Sequence, residues 1–163
     1  MEVQCRSVVP RKRIQLGVTA CRKLCELVTS DMKTLECGSG LSTFLFFALG
    51  SDHTALEDKE QYAPPLSSVQ IRPLVGDPEW YDWYPDGPYD FILVDGPHPS
   101  IRRWGILRVI DQLVHDKTIL MFDDTERGRD RSLSHEVAIR LGRQRTIIAP
   151  TCSGDFGKKV TLL

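Results

Sequence analysis

Short apolar runs alternate with helix-patterned stretches along most of this chain, and that alternation restricts the fold more than any single residue does. Five runs, at 33–37, 53–57, 69–75, 89–95 and 118–123, have the near-continuous apolar character of strands buried on both faces. Helical spacing fills the intervals at 42–48, 60–66, 101–113 and 133–141. An amphipathic stretch at 16–28 precedes them, with Leu16, Ala20, Leu24, Leu27 and Val28 on one face. This order predicts right-handed crossovers and a parallel sheet with helices on both faces. Two further β-like runs, at 146–149 and 159–162, are joined by a connection too short for a crossover helix, so they are expected to pair antiparallel. The predicted fold is an α/β doubly wound sheet of seven strands, mainly parallel, with a C-terminal antiparallel hairpin.

A chain of 163 residues fits one core, since single domains hold roughly 100–200 residues. Residues 14–163 are expected to form it. Residues 1–13, with Pro10 and the basic triplet Arg11-Lys12-Arg13, read as a flexible tail. A net charge of -1 gives no general attraction to nucleic acid or to an anionic membrane. The apolar stretch at 41–49 is far below the roughly 20 residues that span a bilayer, and the first residues lack a secretory leader's basic-then-apolar pattern. The expectation is a cytoplasmic protein acting on a small molecule. Five cysteines without a CxxC pair argue against a disulfide framework or a structural zinc site. Cys21 and Cys25, four residues apart, read as packing residues on one helix face.

Open α/β sheets bind ligands beyond the carboxyl ends of their strands. The first strand runs out there through Glu36-Cys37-Gly38-Ser39-Gly40-Leu41-Ser42-Thr43, where Gly38 and Gly40 permit a tight turn and a close ligand. Cys37 reads as a small residue chosen for fit, with no neighbouring His or Lys to activate it. The GxGxxG fingerprint of nicotinamide-binding domains is incomplete, because Thr43 stands at the third glycine. Glu36 would repel a diphosphate and attract an ammonium group. The segment is similar to the acidic-x-Gly-x-Gly motif of class I S-adenosylmethionine-dependent methyltransferases, and the resemblance covers nearly the whole chain from about Leu16 onward. It implies a Rossmann-like fold, S-adenosylmethionine as methyl donor, and a cradle of Glu36, Gly38, Ser39, Gly40 and Ser42.

Glu57 ends the second strand nineteen residues after Gly38, close to the spacing of acids that grip a ribose diol, with Asp58 as its alternate. Asp77, after the third strand, is the candidate for the adenine amino group in such methyltransferases. The following loop carries Trp80, Tyr81, Trp83 and Tyr84, whose rings are candidates either for stacking on adenine, Trp80 and Tyr81 first, or for packing on the core.

Asp95 and His98 follow the fourth strand, and Asp123 and Asp124 follow the fifth. The class I resemblance implies that these strands are neighbours, and at about 4.8 Å apart such acids must share a proton, pair with arginine or bind a cation. The pattern resembles the divalent-metal site of catechol and caffeoyl-CoA O-methyltransferases, with Asp124 replacing asparagine. That resemblance implies Mg2+ or Ca2+ on Asp95, Asp123 and Asp124. Without metal, Asp95, His98 or Asp124 is the candidate general base. His53, His115 and His135 read as peripheral. The segment 126–131 contains three arginines and is either a solvated loop or a grip for phosphate or carboxylate.

The function expected is O-methylation of a small-molecule acceptor. The alternatives are a non-catalytic adenosyl-binding or assembly module, since no substrate-capping insertion is evident and a homo-oligomer could supply the missing wall, and, third, a nicotinamide oxidoreductase.

Overall fold

The computed structural model describes residues 16–84, 86–98, 101, 103–151 and 157–163. The tail expected at 1–13 lies outside them, as does most of the connection between the last two strands.

Helix α1 (Val18–Leu27) leads into β1 (Lys33–Cys37), α2 (Leu41–Leu49) and β2 (Asp52–Glu57). A 3-10 turn at Glu60–Tyr62 precedes β3 (Val69–Ile71), β4 (Leu74–Val75), β5 (Trp80–Tyr81) and β6 (Phe91–Val94). A 3-10 helix at Arg103–Arg108 and the single turn α3 (Ile110–Leu113) connect to β7 (Ile119–Phe122). Then come α4 (Gly128–Leu141), β8 (Thr146–Ile148) and β9 (Val160–Leu162). Seven strands form one sheet in the order β3-β2-β1-β6-β7-β9-β8. All neighbours are parallel except β9, which runs antiparallel to both β7 and β8. The sheet is the one expected from the alternation of elements.

The period of two along each strand divides the core. Leu35, Cys37, Ile92, Val94, Leu120 and Phe122 face one side, where Ile106, Ile110, Leu113, Leu133 and Val137 cover them. Phe91, Leu93 and Met121 face the other, under Leu16, Ala20, Leu24, Val28 and Phe46. The buried stripe of α1 is thus i, i+4, and Cys25, one position beyond Leu24, turns about 100° away. Cys25 is exposed, which corrects its reading as a packing residue, whereas the half-buried Cys21 packs against the core on this side as read.

Proline accounts for two other departures. The strand expected over 69–75 breaks after Ile71, because Pro73 has no N–H to continue the ladder. Beyond the break, β4 and β5 form a separate antiparallel hairpin. The helix expected at 60–66 reduces to one 3-10 turn before Pro64 and Pro65, which cannot extend it. The stretch at 101–113 forms two short pieces, and α4 begins five residues earlier than its apolar spacing indicates. No helix among the described residues is long and apolar enough to cross a membrane.

Candidate functional site

Four strands end in register. Cys37 pairs with Leu56 and Val94, and Val94 pairs with Phe122. The next residue on each strand belongs to one row across the sheet edge: Gly38, Glu57, Asp95 and Asp123. The ladder continues into this row through Gly38 N–H to Leu56 O (2.8 Å), Asp95 N–H to Cys37 O (3.0 Å) and Asp123 N–H to Val94 O (3.2 Å).

Gly38 has φ 98°, a conformation that side chains other than glycine rarely adopt. It also abuts the loop after β6: a Cβ placed on Gly96 would meet Gly38 Cα at 2.6 Å and the Tyr81 hydroxyl at 2.9 Å. The exits of β1 and β6 therefore touch backbone to backbone.

Glu36 sits below this row. Leu35 and Cys37 face the α4 side, so Glu36 faces the α2 side and is 1% exposed. Ser42 Oγ donates to its Oε1, and Thr43 Oγ1 donates to its Oε2 at 2.7 Å. Thr43 Oγ1 also accepts the Gly40 N–H at 2.9 Å, while His53 Nε2 lies 3.4 Å from Glu36 Oε2. The His53 ring stacks on Phe46 at 4.2 Å, and its Nδ1 is 2.9 Å from Thr34 Oγ1. The carboxylate expected to meet a ligand ammonium is instead held inside the protein, where it fixes the loop to α2. Ser42 is 3% exposed and is committed to the same contact. His53, read as peripheral, is buried.

Glu57 is the last residue of β2 and is 6% exposed, with Asp58 half-buried beside it. Glu57 Oε1 accepts the N–H groups of Asp58 (2.9 Å) and Lys59 (3.1 Å), and Oε2 accepts Ser39 Oγ at 3.0 Å. Burial raises the Glu57 pKa against the lowering effect of these donors. Ser39 thereby clasps the glycine loop to the β2 exit.

One adenine candidate is corrected, and the other leaves its expected strand. Asp77 is exposed in the turn of the β4–β5 hairpin rather than at the end of β3, because Pro73 breaks the run after Ile71. Trp80 is 2% exposed in the core cluster, edge-to-face with Tyr81 at 5.2 Å, so its ring offers no open face. Trp83 is the more exposed ring of this segment, and the Arg72 guanidinium covers it at 4.3 Å.

Asp95, Asp123 and Asp124 do converge, with one carboxylate oxygen of each within 4.8 Å of the others. Their charge is met by the chain itself. Arg103, 2% exposed, places Nη2 3.4 Å from Asp95 Oδ1 and 3.3 Å from Asp124 Oδ2. Arg103 also donates to the backbone carbonyls of Asp95 and Pro97. Arg127 Nη1 is 2.7 Å from Asp124 Oδ2, and Lys158 Nζ lies 3.0 Å from Asp124 Oδ1 and 3.2 Å from Asp123 Oδ2. An ammonium and two guanidinium groups thus lie where part of a cation's charge would act, while the buried Asp123 Oδ1 has no hydrogen-bond partner among the described residues. Asp124 adopts φ 59°, a left-handed conformation that Asp and Asn tolerate best among side-chain-bearing residues.

Burial, then Asp123, raises the Asp95 pKa well above the usual carboxylate range, with Arg103 opposing. Burial, then Asp124, raises Asp123 to about 6, opposed by Lys158. Burial alone would lower the pKa of Arg103, but Asp95, Asp130, Asp124 and Asp123 outweigh it and raise it. His98 is half-buried after the Gly96–Pro97 peptide. Sequence spacing carries no signal for Arg103 or Lys158, because Lys158 is 35 residues from Asp123 and arrives with β9.

No family model matches the chain, and no curated protein matches it in sequence. Solved structures do. An O-methyltransferase from Bacillus cereus in complex with S-adenosylhomocysteine aligns with TM-score 0.59 and 16% identity over 91% of this chain and 81% of its own. A precorrin-6y C5,15-methyltransferase from Geobacter metallireducens aligns with TM-score 0.61 and 15% identity over 93% and 92%. The O-methyltransferase TomG from Streptomyces achromogenes, in complex with S-adenosylmethionine, gives 0.52 and 18% over 90% and 80%. The chain has the class I methyltransferase fold. Within that fold, the row formed by Gly38, Glu57 and Asp95 occupies the exits of three adjacent strands, next to the acid–base cluster.

Proposed function

We propose that the chain is an S-adenosylmethionine-dependent methyltransferase that methylates an oxygen of a small-molecule acceptor. The observation carrying this reading is the in-register row at the strand exits: a left-handed Gly38, an acid at Glu57 for the ribose diol, and a half-buried Asp95 of raised pKa beside them. When bound, S-adenosylmethionine supplies the methyl group: the acceptor oxygen bonds to the methyl carbon, the C–S bond breaks, and sulfur keeps its electron pair. Asp95 takes the acceptor's hydroxyl proton. Its raised pKa makes it a stronger base than an ordinary carboxylate, and Arg103 fixes its position. Asp124, at 0% exposure and bound by Arg103, Arg127 and Lys158, acts as a positioning residue. His98 is the alternate base.

Were Mg2+ or Ca2+ to bind, Asp95, Asp123 and Asp124 would hold it, with Lys158 displaced from Asp123 and Asp124. The nicotinamide reading loses ground for a structural reason: Thr43, at the third glycine position, is needed to hold Glu36 and the Gly40 amide.

Calorimetric titration with S-adenosylhomocysteine tests the reading. Wild type is expected to bind in the micromolar range, and Glu57→Ala to weaken binding about tenfold or more, the worth of hydrogen bonds to a charged group. No binding to folded wild type overturns it. Binding without turnover across a broad acceptor panel favours the non-catalytic module instead.

A further inference from the structure

Beside the carboxylate cluster lies a cavity of about 320 Å³, within the size range of small-molecule sites. Its lining includes the apolar side chains of Ile101, Trp104 and Leu133. It also includes Arg103, Arg127 and Arg129, with the first turn of α4. That helix has 14 residues and no side-chain cap at its N-terminus. The amides of its first turn therefore lack intrahelical acceptors and carry the positive end of the helix dipole.

Two side chains distinguish this cavity from a bare helix end. Arg103 is almost fully buried, and its Nη1 makes no hydrogen bond among the described residues; Asp130 Oδ1, 3.4 Å away, is its ionic partner. Arg129 is exposed and makes no hydrogen bond or ion pair among the described residues. Among the described lining residues, Asp130 supplies the single negative charge, against three guanidinium groups. Arg103 also links the cavity to the proposed base, because its Nη2 is 3.4 Å from Asp95.

The geometry points to an acceptor subsite for a small, planar, apolar molecule bearing an oxyanion, carboxylate or phosphate. Its flat body lies against Trp104 and Leu133, and its anion meets Arg129 and the α4 amides. This deepens the methyltransferase reading and rests on it for the word acceptor; the anion selectivity can be measured separately.

The probes are benzoate, phenyl phosphate and the neutral benzamide, titrated into the full chain with and without saturating S-adenosylhomocysteine. At least one anion is expected to bind about tenfold more tightly than benzamide, a preference typical of one charge-assisted contact. The tighter of the two anions identifies the oxyanion. Arg129→Gln is expected to erase most of that preference and Arg129→Lys to restore part of it, with S-adenosylhomocysteine affinity unchanged in both. Equal binding of anions and benzamide, no anion binding at millimolar concentration, or an unchanged preference in Arg129→Gln each overturns the subsite. Failure of S-adenosylhomocysteine to bind while the anion preference persists rejects the methyltransferase reading and leaves the anion site standing.

Discussion

Asp123 illustrates how a single buried carboxylate reports on its surroundings. Its pKa stands at about 6 in the folded protein, raised by burial first and by Asp124 second. In an unfolded chain it would titrate near 3.9. Between these values the folded state binds the proton more tightly than the unfolded state does, so the stabilisation is present at low pH and is lost as pH rises through about 4 to 6. The size for Asp123 is on the order of 3 kcal/mol, and burial shifts Asp95 and Glu57 in the same direction. Urea denaturation across pH 4 to 7 should show stability falling less steeply in Asp123→Asn than in wild type. Identical slopes would remove Asp123 as the cause. The presence of acids at 95, 123 and 124 was plain in the sequence. Their ionic partners were not, since Arg103 and Lys158 come from different elements.

At the level of elements, α2 has two apolar faces with different roles. Phe46 is fully buried between His53 and Phe91, with ring centroids 4.2 and 5.9 Å away. Phe47, one residue on, is 67% exposed, and Phe44 and Leu41 are also exposed. Phe46→Ala is therefore expected to cost about 3–5 kcal/mol by leaving a cavity. Phe47→Ala should change stability by less than about 0.5 kcal/mol, as measured by urea denaturation. A comparable loss from both would mean that Phe47 is covered in solution, as a homo-oligomer would cover it. Element boundaries follow the same logic. Runs such as 33–37 were readable because each strand is buried on both faces. The hairpin at β4–β5 was not, because a Pro73 break inside an apolar run gives no periodicity signal, and it carried Asp77 and Trp80 away from their expected places.

At the scale of the molecule, the site depends on two loops distant in sequence, leaving the adjacent strands β1 and β6 and meeting at Gly38 and Gly96. A Cβ at Gly96 would press on the Gly38 backbone. Gly96→Ala should separate the β1 and β6 exits, costing about 1–3 kcal/mol as overpacking does. It should also weaken S-adenosylhomocysteine binding by more than about tenfold, because cradle geometry is sensitive to displacements near 1 Å. Calorimetry alongside urea denaturation checks both, and unchanged affinity would separate the cradle from this contact. The sequence by itself determined the strand and helix alternation, the antiparallel ending, the glycine loop and the row of acids at the strand exits, because each rests on local periodicity or on a residue's position at a strand end. Only the tertiary structure decided where those acids find their counter-charges, that Glu36 points beneath the loop, and that a cationic cavity opens beside Asp95. These depend on side-chain direction and on contacts between elements far apart in the chain, which local spacing does not encode.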